Sequence, residues 1–163
     1  MEQNYKVGDF IIDFVCIYKI TSIESTKNGN LIHYCPIKGT DKIFTDIIPE
    51  NNLEKSGLRP LFDTKKIKEI LKEFKTSQED CLLDLRKFKE DLYVNSPQQL
   101  ISDLKCFYHQ KNPLVRAEEE LKDMILDHFC LEMSFVTGKK ISDIKKTIES
   151  MLYYPDLYLG KES

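Results

Sequence analysis

The spacing of hydrophobic positions changes character about a third of the way along the chain. Up to residue 48, apolar residues fall in short clusters broken by turn-forming residues. Phe10, Ile11 and Ile12, then Phe14 and Val15, are β-forming types. Residues 17–23 alternate imperfectly, with Ile17, Lys19, Thr21 and Ile23 on one parity and Tyr18, Ile20 and Ser22 on the other. Asn28-Gly29 follows and predicts a hairpin, because both residues tolerate positive φ. Residues 31–37 return as a strand, Lys38-Gly39-Thr40-Asp41 makes a second turn, and residues 43–48 form a further strand. Pro49 ends that strand by removing a backbone donor. Short antiparallel strands with tight turns predict a small barrel of the SH3 or Tudor shape.

Beyond residue 61 the period becomes helical. Asp63 or Thr64 caps a helix with Ile67, Ile70, Leu71 and Phe74 on its apolar face. Thr76 or Ser77 caps a second helix carrying Leu82, Leu85, Phe88 and Leu92. Ser96-Pro97 is a cap with proline in the first turn, followed by Leu100, Ile101, Leu104 and Phe107. Asn112-Pro113 repeats the signal and opens the longest helix. Its apolar face is read as Leu114, Ala117, Leu121, Met124, Ile125, His128 and Leu131, and Gly138 stops it. Residues 142–152 form a last helix with Ile144, Ile148 and Leu152. The fold class is therefore α+β: a small antiparallel β-barrel over residues 1–61, a helical domain of four to five helices over 62–152, and an irregular tail over 153–163. Tyr153, Tyr154 and Tyr158 lie near that end, either packed back on the bundle or offered to a partner.

Composition changes this picture little. The chain has 163 residues, 41% hydrophobic and 31% charged, with a formal net charge of −3. It is no polycation, so contact with nucleic acid needs a local patch or a protein partner. Residues 64–112 hold 10 basic and 8 acidic side chains and are the one stretch that leans positive. Five scattered cysteines, Cys16, Cys35, Cys81, Cys106 and Cys130, have no CxxC spacing and read as reduced thiols. The polar start and the lack of any apolar run near the roughly 20 residues that span a bilayer lead us to expect a cytoplasmic protein with no membrane association.

Ordered signals in the first 75 residues carry a resemblance. Val7-Gly8-Asp9 opens the first strand, a β-meander follows, then Ile48-Pro49-Glu50-Asn51, Gly57-Leu58-Arg59 and the amphipathic helix over 65–74. This order resembles the N-terminal domain shared by CarD-type transcription regulators and bacterial transcription-repair coupling factors. A coupling factor continues into a long motor, so length favours the stand-alone CarD form. The resemblance implies a bacterial, monomeric regulator without enzymatic activity or cofactor. Its barrel would dock on the RNA polymerase β subunit and its helices would hold opened promoter DNA, with a tryptophan wedge in the minor groove and basic side chains on phosphates.

The chain departs from that family in several places. It has no tryptophan. The wedge position falls around residues 81–83, where Leu82 or Leu83 is a smaller apolar candidate, weighed against an ordinary core role. The family's proline-histidine-glycine segment is missing, and residues 13–17 stand there as a shortened loop. Thr26 and Ile47 replace arginines that several members use against the polymerase, which shifts the expected docking toward strand-edge pairing and apolar contact. Thr26, Ile47, Pro49 and Arg59 are thus the expected polymerase-facing residues, with Arg59 also read as a structural tie between barrel and helix.

For DNA, Lys65, Lys68, Lys72 and Lys75 share one face of the first helix, opposite its apolar residues. Arg86, Lys87 and Lys89 add charge on the next helix. The candidate DNA set is Lys65, Lys68, Lys72, Leu82, Arg86, Lys87 and Lys89. The plainer reading is a solvated face whose lysines pair with Glu69 and Glu73. Catalysis finds little support. His33, His109 and His128 are far apart in sequence, and the conceivable His33/Cys35 pair, two apart on a strand, has no third partner. Glu118-Glu119-Glu120 suits a helix first turn and needs no other role. No catalytic residue, metal ligand or cofactor site is expected. Two other readings stand beside the regulator: a protein-interaction adaptor of the same fold that has lost DNA binding, and a small cysteine hydrolase built on Cys35.

Overall fold

The computed structural model describes residues 4–78 and 80–153, so Tyr154, Tyr158 and the rest of the tail lie outside the described residues. The chain is α+β, with strands first and helices after. It divides into two compact units, Met1–Leu61 with Tyr93–Asn95, and Phe62–Leu92 with Ser96–Ser163.

The first unit is built on β1 (Phe10–Ile12), β2 (Ile17–Thr26), β3 (Gly29–Lys38), β4 (Asp46–Pro49) and β5 (Arg59–Pro60). They form one antiparallel sheet in the order β4-β3-β2-β1-β5. No ladder joins β4 to β5 among the described residues. Its core gathers Ile11, Cys16, Tyr18, Ile20, Ile32, Tyr34, Leu53 and Leu58. The imperfect alternation of β2 has a structural cause: the register with β3 shifts between Ile20 and Ser22, which resets the parity.

Two turns differ from expectation. The β2–β3 turn is centred on Lys27 and Asn28, with Thr26 opposite Gly29, so the Asn-Gly pair sits one place later than a two-residue loop requires. Gly29 has a φ of 111°, whereas Asn28 is not among the positive-φ residues. The fourth strand begins at Asp46 rather than at residue 43: Ile43 is fully exposed and Phe44 is 40% exposed. Pro49 remains in the ladder, opposite Leu31, at the end of an edge strand, where proline is tolerated.

The loop over residues 13–16 is organised by one carboxylate. Asp13 Oδ1 accepts from the Val15 and Cys16 amides at 2.8 and 2.7 Å, and Oδ2 accepts from the Tyr18 hydroxyl at 2.8 Å. Gly39 lies against this loop so closely that a Cβ there would sit 2.4 Å from the Val15 carbonyl oxygen.

The second unit holds α1 (Thr64–Lys75), α2 (Leu85–Val94), α3 (Pro97–Tyr108), α4 (Arg116–Thr137) and α5 (Ile141–Tyr153), although the last two residues of α2 belong to the first unit. Asp63 caps α1 by accepting from the Lys66 amide at 2.7 Å. Gly138 ends α4 with a φ of 71°. The core is stitched by edge-on aromatic pairs, Phe74 with Phe129 and Phe88 with Phe107. The helix α1 packs on α3, α4 and α5.

Three helical expectations are corrected. The second helix starts at Leu85, with Asp84 accepting from the Lys87 amide, so Leu82 is outside it and Thr76 closes α1 instead. The longest helix starts at Arg116, where Glu118 accepts from the Val115 amide at 2.8 Å and fixes the first turn beyond the proline. Its buried face includes Leu121, Ile125, Leu126, Phe129 and Met133, while Ala117 and Met124 are exposed. The cysteines also differ: Cys81 and Cys106 form a disulfide, which holds the irregular segment before α2 onto α3. Cys16, Cys35 and Cys130 are free.

Candidate functional site

The polymerase-facing candidates divide into an edge group and an internal one. Ile47 lies in the edge strand β4, 52% exposed, and Ile43 and Phe44 precede it as exposed apolar residues. Thr26 and Pro49 line one shallow depression at the β2–β3 turn, together with Asn30, Leu31 and Asn52. Thr26 also has a local duty: its hydroxyl donates to the Gly29 carbonyl at 2.7 Å and accepts from the Asn28 amide at 3.2 Å. A link from Asn30 Nδ2 to Glu50 Oε2 at 2.8 Å fixes the depression's wall.

Arg59 is half-buried and occupied within the first unit. Its Nε donates to the Asn95 carbonyl and to Asn95 Oδ1, each at 3.3 Å, and Nη1 donates to the Pro60 carbonyl at 3.1 Å. These bonds join Arg59 to Asn95 and Pro60 inside the first unit. Asn95 was not singled out by sequence reasoning; an asparagine just past a helix was its only signal.

Lys65, Lys68 and Lys72 are exposed along α1. Glu69 pairs with Lys66 at 3.7 Å, and among the described residues no ion pair reaches Lys65, Lys68 or Lys72. The α2 cations are different. Arg86 pairs with Glu90 at 3.3 Å, and Lys87 Nζ lies 2.5 Å from Asp91 Oδ2 and 3.7 Å from Asp103 Oδ1. Lys89 is exposed. Leu82 is 92% exposed on the irregular segment, beside the disulfide. The core role weighed for Leu82 does not hold.

Sequence reasoning also missed two buried charges on α3. Lys105 Nζ donates to the Glu73 carbonyl at 3.1 Å and to Thr76 Oγ1 at 2.5 Å, so it closes the carboxyl end of α1. Burial holds its pKa below the usual lysine value. Asp103 is buried, and burial, reinforced by Asp91, pushes its pKa up to about 7.

Elsewhere the three histidines fall on separate elements, His33 in β3, His109 at the end of α3 and His128 in α4. His33 lies 3.5 Å from Glu24, on the exposed side of β2–β3, and His109 lies 3.5 Å from Asp80. His128 is buried against Phe129. Burial raises the Cys16 thiol and pushes Cys130 up to about 12, which keeps both protonated at neutral pH. No group of three or more His, Cys, Asp or Glu among the described residues could hold a metal ion. No helix among them is long and apolar enough to cross a membrane. No protein-family model matches the chain, and no curated protein matches it.

Proposed function

We propose that this chain is a CarD-type transcription regulator that binds the RNA polymerase β subunit and modulates the stability of the open promoter complex. The observation that carries the reading is the free edge of β4. Among the described residues it pairs with β3 alone, and it presents Ile47, with exposed Ile43 and Phe44 leading into it. Such an edge suits main-chain pairing with a partner strand, and the apolar side chains suit specificity. An SH3- or Tudor-like barrel supplies the frame. The order β4-β3-β2-β1-β5 supports that shape, because a meander whose last strand returns beside the first is what a small barrel needs. Lys65, Lys68 and Lys72 of α1, which have no ion pair among the described residues, supply phosphate contacts without reading sequence. The protein works in the cytoplasm as a monomer, with no cofactor.

The test is calorimetry of the full chain against the lobe of the bacterial polymerase β subunit that CarD-type proteins use. Micromolar or tighter binding that is lost in Ile47→Glu is expected. Absence of binding by a folded protein at low salt overturns the reading. A second reading, an adaptor of the same fold without DNA binding, is favoured by one observation: Arg86 and Lys87 on α2 are already engaged by Glu90 and Asp91. It predicts polymerase binding with no salt-dependent DNA association.

A further inference from the structure

The second unit contains a cavity of about 290 Å³ between the start of α1, the end of α4 and the start of α5. That is close to the lower end of small-molecule sites, roughly 300–1,000 Å³. Its walls carry Ile67, Leu71, Met133 and Ile144, all aliphatic or thioether, and no aromatic side chain lines it. A planar aromatic ligand would find no stacking face there, whereas a flexible alkyl chain packs well on such side chains.

The polar groups at the cavity narrow the class further. Thr137 donates its hydroxyl to the Met133 carbonyl at 2.6 Å, and Thr147 donates to the Asp143 carbonyl at 2.9 Å. Both of these hydroxyl protons are therefore spent inside their own helices, and Thr64 adds a third hydroxyl to the lining. Lys68 and Lys139 remain as cations, with Asp143 as the one carboxylate of the lining. Neither lysine has an ion pair among the described residues, so the lining carries a net positive charge. Lys139 is also held in place at the backbone. Ser134 Oγ donates to its carbonyl at 2.7 Å, and its own amide donates to Thr137 Oγ1 at 3.3 Å.

We propose that this cavity binds a medium-chain amphiphile with a single negative head group, its chain on Ile67, Leu71, Met133 and Ile144 and its head between Lys68 and Lys139. The class is set by charge complementarity and by the aliphatic lining. The site shares Lys68 with the proposed DNA-contacting stripe, but it does not rest on the reading of the chain as a regulator, since its readout is ligand uptake and not transcription.

The experiment is titration of the full chain with decanoate below its micellar concentration, followed by calorimetry and by methyl NMR. One-to-one binding is expected, with shifts centred on the four lining residues. Decylammonium should bind at least about tenfold more weakly, because it loses charge-assisted bonds and meets two like charges. The double variant Lys68→Ala, Lys139→Ala changes only exposed side chains, and it should lose at least about tenfold in affinity for decanoate while keeping its melting temperature. Phosphatidylglycerol vesicles distinguish the source of the ligand: uptake of monomeric decanoate supports the proposal. Binding to vesicles alone, equal affinity for decylammonium, or decanoate shifts elsewhere in the chain would overturn it.

Discussion

Asn95 donates its side-chain amide to the carbonyl oxygen of Gly57 at 3.0 Å, and the same nitrogen donates to the Ile12 carbonyl at 3.0 Å. Asn95 is 2% exposed and holds a φ of 59°, a left-handed conformation uncommon outside glycine. Its oxygens accept from Arg59. One buried amide thus satisfies two carbonyls from β1 and the turn before β5. Gly57 is constrained from the other side, because its φ is 72° and a Cβ would lie 2.1 Å from the Tyr93 carbonyl oxygen. Asn95→Ala removes both of these buried bonds and puts alanine at a left-handed φ, and should destabilise the protein by about 2–3 kcal/mol in urea melts. Gly57→Ala should cost at least as much, since neither backbone angle nor space admits the methyl. A loss under about 0.5 kcal/mol for both variants would mean that this joint relaxes without penalty.

The Cys81–Cys106 disulfide closes a separation of 25 residues in sequence. Cross-linking a loop of that length stabilises the folded state by about 3 kcal/mol through the unfolded chain's lost entropy. Reduction with dithiothreitol, or Cys81→Ser, should therefore lower the denaturation midpoint markedly. Thiol titration of the denatured, unreduced protein should find three thiols, from Cys16, Cys35 and Cys130. Five thiols in protein purified without reductant would show that the pair stays open in solution and would remove the predicted stabilisation.

Asp103 gives the fold a pH dependence of definite sign. Its pKa lies about 7 against an ordinary 3.8, raised first by burial and then by Asp91, with Lys87 pulling the other way. The folded state therefore holds a proton that the unfolded chain has released across that window. Stability from this group is full below about 4, falls as pH rises toward 7, and is flat beyond it. Asp103 Oδ2 is buried without a hydrogen-bond partner, so the ionised form is poorly served. Asp103→Asn should remove this slope and be more stable than wild type at pH 8 by about 1 kcal/mol, with the advantage shrinking toward pH 4. Chemical denaturation of both proteins across this range checks it. A variant less stable than wild type at pH 8 would show that the pairing with Lys87 outweighs burial.

Much of the fold was legible where short-range chemistry decides it. Asp63, Ser96-Pro97 and Gly138 marked helix ends that the structure keeps, and the buried faces of α1 and α5 follow the helical period. What depends on distant partners was not legible. Lys105 and Asp103 sit on a helix face that composition alone assigns to solvent, and only packing against α1 and α2 accounts for their burial. The pairing of Cys81 with Cys106 needs the path of residues 76–84, which carry no periodic signal. Leu82 fitted the heptad-like spacing of Leu85 and Phe88, but Asp84 offers a better cap and starts the helix after it. For the proposed surfaces, the lysine stripe was visible as spacing, whereas the engagement of Arg86, Lys87 and Arg59 required coordinates.

The lysine stripe yields the sharpest functional prediction, because electrostatics gives it a slope and not only a sign. Lys65, Lys68 and Lys72 are exposed on one helix and unpaired among the described residues. If they neutralise phosphates, each releases close to one counterion from duplex DNA, and affinity falls with salt accordingly. Replacing all three by glutamate should weaken promoter DNA binding at low salt and flatten the plot of log affinity against log salt by about 2–3. The parallel variant Arg86→Glu, Lys87→Glu should change that slope less, since Glu90 and Asp91 already hold both cations. Surface lysines on a well-packed helix tolerate this change, so the melting temperature should move little. An unchanged slope in the α1 triple variant would separate the stripe from DNA and move the adaptor reading to first place. A larger effect from the α2 pair than from the α1 triple would mean that DNA displaces the acidic partners and that α2, not α1, carries the contact.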